Sequence, residues 1–280
     1  MKKLLCTLLG VLLLFAACDR GSKRPIVVGS KNFTESVILG ELLAQKLEAQ
    51  KCAVDRKLNM GGTFVCDGAI NAGQIDAYVE YSGTALSAIL KDPHANLVGA
   101  YDRKGIHWGP RLGFNNTFAM IVRGVEAQQH HLARVSDLAG VAATYQPGFG
   151  YEFVERPDGW PGLQRAYGLN FTKPPKTMDL GLTYKALASN EVDLIAGNST
   201  DGLISSLGLV ALEDDRHFFP QYDAAVVYRK DADEKCRAAS RAFESLGESI
   251  DDATMRRLNY EVDGKKRDVA EVVREFLGKR

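Results

Sequence analysis

The sequence predicts an α/β fold of mostly parallel sheets with helices on their faces. Short apolar runs alternate with segments of helical periodicity from residue 26 to residue 81, and the same alternation resumes between residues 117 and 228. A chain of 280 residues, 45% hydrophobic and 25% charged, is also large enough for one sizeable domain or two ordinary ones.

Taken in order, residues 25–30 (Pro-Ile-Val-Val-Gly-Ser) read as a first strand, and Thr34 as the cap of a helix to about Gln50 with Val37, Ile38, Leu42, Leu43 and Leu47 on its apolar face. A second strand is expected near 54–58. Gly61-Gly62-Thr63 then turns into a helix to Ala72, which Gly73 stops. In the next run Ile75, Ala77 and Val79 alternate as in a buried strand, and Ser82-Gly83-Thr84 ends it with a hydroxyl able to cap the following helix. Further strands are expected at 117–122, 141–144, 192–196 and 224–228, with a helix around 182–189 and a double-proline loop at 156–162 leading into a helix that ends near Gly168. After Lys230 the chain reads as helical over 234–249, 251–260 and 267–277.

Residues 1–17 form an export signal: Lys2-Lys3, an apolar run from Leu4 to Phe15, then Ala16-Ala17. Its loss leaves 33 basic against 35 acidic residues, a net charge of −2, which offers no polycation for a nucleic-acid backbone. Phe15-Ala16-Ala17-Cys18 resembles a bacterial lipobox, which implies cleavage before Cys18 and lipidation of its thiol. In a Gram-negative cell, Asp19 after that cysteine implies retention at the inner membrane. Cys52, Cys66 and Cys236 remain; a Cys52–Cys66 bridge is possible, but neither spacing nor count demands one. No Cys or His grouping has metal-site spacing, because His130 and His131 are adjacent. No Gly-x-Ser-x-Gly elbow, metal triad or phosphate loop is present, so the chain is expected not to be an enzyme and to carry no cofactor.

Several segments carry binding chemistry. Tyr81 and the free amides after it fall at the carboxyl end of a strand, where open α/β sheets bind ligands, and an aromatic face beside anion-seeking amides suits a small zwitterion. Lys31 stands at a strand-to-helix junction where a cation can meet a carboxylate. Arg156 could grip a carboxylate with both arms of its guanidinium. The segment 112–118 brings two Asn and two Phe to the start of a strand, and 218–223 ends in Tyr222 immediately before another.

Ten segments in order extend this to a resemblance: GSKNFTES, GGTFVCDGAI, GQIDAYVEYSGTAL, LGFNNTFA, SDL, ERPDGWPGLQRAYGL, DLGLTYKAL, VDLIAGNSTDG, LEDDRHFFPQYDA and LNYEVD. The chain resembles the substrate-binding lipoproteins of ABC importers for quaternary-ammonium osmoprotectants such as glycine betaine, choline, carnitine and proline betaine. The resemblance implies the two-lobed type II periplasmic-binding-protein fold. Its expected organisation is a signal peptide at 1–17, a lipidated tether at 18–25, a first lobe from 26–120 and 224–280, and a second lobe from 121–223. It also implies a monomer, lipid-anchored on the outer face of the cytoplasmic membrane, that hands its ligand to a permease and its ATPase subunit.

Carried over by position, Lys31, Thr84 and Arg156 match residues that hold the ligand carboxylate, and Tyr81 and Tyr222 match walls of the cage around the trimethylammonium group. Phe118 stands where a cage tyrosine is usual and keeps the π face. Asn198 stands at a position that is Tyr in the better-known betaine binders; an amide has no π face, so one wall is open. Trp160, Phe149 or Tyr151 could fill the gap, or Asn198 could hydrogen-bond a larger betaine such as carnitine or ergothioneine. Two other readings of the same fold are a solute sensor and a binder of amino acids or polyamines, with Asp179 and Asp201 as carboxylates for the latter's cation.

Overall fold

The computed structural model describes residues 24–278. The export signal and Cys18 lie outside the described residues. Among those described, no helix is long and apolar enough to cross a membrane.

Among the described residues, ten strands form two five-stranded sheets. In the first, β1 (Ile26–Gly29), β2 (Val54–Lys57), β3 (Ala77–Tyr81), β4 (Ile106–Asn115) and β10 (Asp223–Arg229) take the order β2-β1-β3-β10-β4. In the second, β5 (Phe118–Arg123), β6 (Pro147–Gly150), β7 (Lys176–Met178), β8 (Leu194–Asn198) and β9 (Leu209–Leu212) take the order β7-β6-β8-β5-β9. The sheets are mixed rather than mostly parallel. β1 runs parallel to β2 and β3, and β6 parallel to β7 and β8, whereas β10 and β5 run antiparallel to both their neighbours. The reason is connectivity. β5 and β10 are the strands by which the chain enters a sheet directly from the other one, so they begin where the parallel strands end. The first crossover is Asn116-Thr117, so Phe118–Met120 belong to the second sheet rather than to a first lobe ending at residue 120.

Helices cover both sheets. Helix Thr34–Ala49 buries Ile38, Leu39, Leu42, Leu43 and Leu47 in the main core, and helices Asp252–Asp263 and Val269–Gly278 pack against it. Its cap position is Phe33, while the Thr34 hydroxyl donates to Asp263 instead. Ser82 likewise does not cap: its hydroxyl donates to the Gln221 carbonyl and accepts from the Asp223 amide, which ties the end of β3 to the start of β10.

Two expected elements differ. Residues 141–144 are a turn, and the strand lies at β6, because Val141 and Ala142 are buried as part of a tight loop that follows a 3₁₀ segment. The expected helix over 234–249 breaks into Ala232–Lys235 and Ala239–Glu244, with extended backbone at Cys236. The break places Cys236 against Cys52 in a disulfide, while Cys66 is buried as a free thiol.

Candidate functional site

The topology puts one kind of strand end at one place. β1, β3, β6, β7 and β8 finish, and β5 and β10 start, at a cleft between the sheets. A cavity of about 190 Å³ opens there, and Lys31, Tyr81, Thr84, Phe118, Arg156, Asn198 and Tyr222 all line it. The seven residues carried over by position therefore meet in one place.

The aromatic side is built from both sheets. Phe118, the first residue of β5, packs edge-on to Tyr222 with ring centroids 5.5 Å apart and to Phe153 at 5.0 Å. Tyr81 ends β3, and its hydroxyl donates to the Glu35 carboxylate at 2.7 Å. Glu35 is fully buried, which raises its carboxyl above the ordinary value against the pull of its hydrogen bonds. Gly83 is required beside Tyr222, because a Cβ there would lie 2.7 Å from the ring.

The two cations arrive already paired. Lys31 is 4% exposed, and its Nζ lies 2.5 Å from Glu80 Oε1 and 3.1 Å from Thr63 Oγ1. This leaves one ammonium proton for the cavity. Arg156 grips Asp158 with Nε (2.9 Å) and Nη2 (2.5 Å), and Nη2 also reaches across the cleft to Thr84 Oγ1 at 3.2 Å. Its Nη1 makes no hydrogen bond among the described residues, and the guanidinium carbon sits 5.2 Å from the Phe118 ring centroid. Asp158 also accepts the Tyr222 hydroxyl at 2.6 Å. Burial first, and then that carboxylate, hold the phenol well above its usual range.

Asn198 closes β8, opposite Phe118 in the strand pair. Its backbone N–H donates to Asp201 at 2.9 Å, and the Tyr184 hydroxyl donates to the same oxygen at 2.6 Å. Burial pushes the Asp201 carboxyl up to about 7. No ring replaces the missing wall from the core: Phe149 and Trp160 pack on each other there, and neither lines the cavity. Tyr151 does line it, at the mouth, 56% exposed. Asp179 lines the rim, but Asp201 does not reach the cavity.

Sequence reasoning missed the residues behind and across the site. Glu80 and Asp158 neutralise the two cations, and Glu152, on the helix Tyr151–Glu155 after β6, projects toward the first sheet. The reach of Glu152 is clear at Gly62, where a Cβ would lie 2.1 Å from Glu152 Oε1. One signal was available: in β3 not only Ala77 and Val79 but also Tyr78 and Glu80 are buried, and a charged residue inside a strand buried on both faces needs a partner.

Comparison with known proteins places the chain in one family. Residues 24–279 match the family described as the substrate binding domain of an ABC-type glycine betaine transport system. Among curated proteins, an ergothioneine transport permease/ergothioneine binding protein of Helicobacter pylori is 35% identical over 91% of the chain, which spans only 47% of that protein's length. A glycine-betaine-binding protein of Pseudomonas aeruginosa is 33% identical over 89% of the chain and 86% of its own length. A carnitine transport binding protein of Listeria monocytogenes is 33% identical over the whole chain and 97% of its own. The crystal structure of a glycine betaine/carnitine/choline ABC transporter superposes with a TM-score of 0.69 at 30% identity, covering 91% of this chain and 98% of that one. A lactococcal protein in its closed form with glycine betaine shares the fold, with a TM-score of 0.65 at 13% identity over 91% of this chain and 96% of that one.

Proposed function

We propose that this chain, which belongs to the family of substrate-binding domains of ABC-type glycine betaine transport systems, captures a small quaternary-ammonium zwitterion between its two sheets and delivers it to an ABC permease driven by its ATPase. The family is one of transport components, not of enzymes. The observation that supports the ligand class is the placing of the Tyr81, Phe118 and Tyr222 rings beside the Arg156 guanidinium in one cavity. A trimethylammonium group is held by the π faces, each desolvated contact being worth on the order of 2 kcal/mol. The ligand carboxylate is held by the free Nη1 of Arg156, by the Thr84 hydroxyl and by the remaining proton of Lys31.

In this mechanism the Arg156–Thr84 contact joins the sheets. A ligand touching both sides favours the closed form by its differential contacts, and the closed form is what the permease receives. Cys18 carries the lipid anchor, which holds the protein, working as a monomer, at the outer face of the cytoplasmic membrane.

One observation favours a larger betaine that also bears N–H or N⁺–H donors, such as ergothioneine, over glycine betaine itself. Both cations of the cavity are compensated from behind, whereas Glu152 and Asp179 line it with no ion pair among the described residues, and Asn198 offers a carbonyl beside them. Counting Lys31 and Arg156 against Glu80, Asp158, Glu152 and Asp179 leaves a site charge of −2, which suits a ligand with a donor pole. Calorimetry with glycine betaine, choline, carnitine and ergothioneine tests both readings. Binding of any of the four is expected, with ergothioneine tightest on the second reading. Silence from all four would overturn the ligand class.

A further inference from the structure

Glu35 does not line the cavity, yet its carboxylate ties together four elements that meet behind it. It stands in the first turn of helix Thr34–Ala49 and is 1% exposed. Oε1 accepts from the Tyr81 hydroxyl and from Asn116 Nδ2, each at 2.7 Å. Oε2 accepts from the Thr200 hydroxyl at 2.5 Å and from Asn259 Nδ2 at 3.0 Å. These donors belong to the aromatic wall on β3, the first crossover, the loop after β8 in the second sheet, and helix Asp252–Asp263. The four acceptor sites of a carboxylate are thereby filled without a cation, an arrangement that holds only while all four elements keep their places. Thr200 is the one donor from the second sheet, and it is held again by Asn116 Oδ1 on its amide and by Asn259 on its carbonyl.

We propose that Glu35 is a positioning residue that couples the closed arrangement of the two sheets to the orientation of Tyr81, so that ligand capture depends on a side chain the ligand never touches. The affinity part rests on the cavity being the ligand site proposed above; the closure part does not.

The test uses Glu35→Gln, which keeps the size but turns one acceptor into a donor facing donors, and Thr200→Val, which deletes only the second-sheet bond. Val98 and Val125 are exposed (48% and 72%) on helices packed against the first and the second sheet, so Val98→Cys and Val125→Cys accept spin labels, and the distance between them reports how the sheets move relative to each other. Both variants should lengthen or broaden that distance and weaken the tightest of glycine betaine, choline, carnitine and ergothioneine at least ten-fold. Tyr81→Phe should weaken it by less and add nothing on top of Glu35→Gln. An unchanged distance overturns the proposal, with or without an affinity loss, and so does unchanged affinity with only a lower melting temperature. If the unmodified protein binds none of the four, the ligand reading fails and the distance arm alone decides this one. If Glu35→Gln does not fold, Thr200→Val decides it on the same readouts.

Discussion

The Lys31 ammonium and the Glu80 carboxylate lie 2.5 Å apart, 4% and 0% exposed, at the ends of two adjacent parallel strands. Glu80 Oε1 also accepts the Tyr81 amide at 2.7 Å, and Oε2 faces the Tyr78 hydroxyl at 3.3 Å, so the carboxylate is satisfied from three directions. A lysine in this setting is a fixed donor with its charge already balanced. Any carboxylate it helps to hold meets a dipole rather than a free cation, and the same is true at Arg156, whose guanidinium is paired with Asp158.

Breaking this pair from one side should be costly. Glu80→Gln leaves a buried ammonium without a counter-ion, for which about 3–5 kcal/mol of stability is lost. The double variant Lys31→Met with Glu80→Gln removes both charges and should recover most of it. Urea denaturation reads both values, and a double variant no more stable than the single one would show that the pair is not what holds β1 to β3.

Much of the fold was legible because its strands carry their own signature. The run from Ile75 to Tyr81 alternates, and Thr34–Ala49 places its leucines on one face. β6 was not legible: Pro-Gly-Phe-Gly has no strand character, and it is a strand only because β7 and β8 flank it. The apolar run 141–144 looked better locally and lost. β4 was hidden by Gly109-Pro110, tolerated because β4 is an edge strand whose unpaired side needs no donor. In the site, the cavity-facing residues were found by pattern and resemblance. The carboxylates that balance them were not, because Lys31–Glu80 spans two strands and Glu35 has partners on four elements.

The Cys52–Cys236 disulfide closes a long loop, with a sequence separation of 184. Restriction of the unfolded chain by a link of that length should stabilise by about 2–5 kcal/mol. Dithiothreitol, or Cys52→Ala with Cys236→Ala, should therefore lower the melting temperature markedly. Ligand affinity measured well below that temperature should stay the same, since neither cysteine lines the cavity. A reduced protein that melts where the oxidised one does would contradict this.

Stability should fall as pH rises from about 4 to about 7. Burial holds the Asp201 carboxyl at about 7, while in the unfolded chain it titrates near 4. Between those values the native state keeps a proton that the unfolded state has lost, so stability is highest below about pH 4 with respect to this group and declines until about pH 7. Three units correspond to about 4 kcal/mol. Tyr184 and the Asn198 amide donate to Asp201, while the nearby acids Glu35 and Asp263, both also raised, add to the slope. Asp201→Asn should flatten the curve, gaining stability at pH 8 and none at pH 4; a variant curve parallel to that of the unmodified protein would refute the assignment.

Asn198→Tyr tests the open wall directly. The backbone N–H of Asn198 makes the 2.9 Å bond to Asp201, so a new side chain leaves that tie in place, and the amide nitrogen gives up only a 3.5 Å contact. The position faces the cavity at the end of β8, directly across the strand pair from Phe118, so a ring there would stand beside the existing aromatic group. A fourth π face at a desolvated trimethylammonium is worth on the order of 2 kcal/mol, or roughly 30-fold in affinity. Glycine betaine should therefore bind more tightly to the variant. A larger betaine whose second pole uses the amide and Glu152 should bind more weakly, since it loses both the hydrogen bond and the space. Calorimetry on the two ligands separates the cases. Opposite shifts would assign Asn198 to the second pole, tightening of both would assign it to the cage alone, and no change in either would remove it from the site.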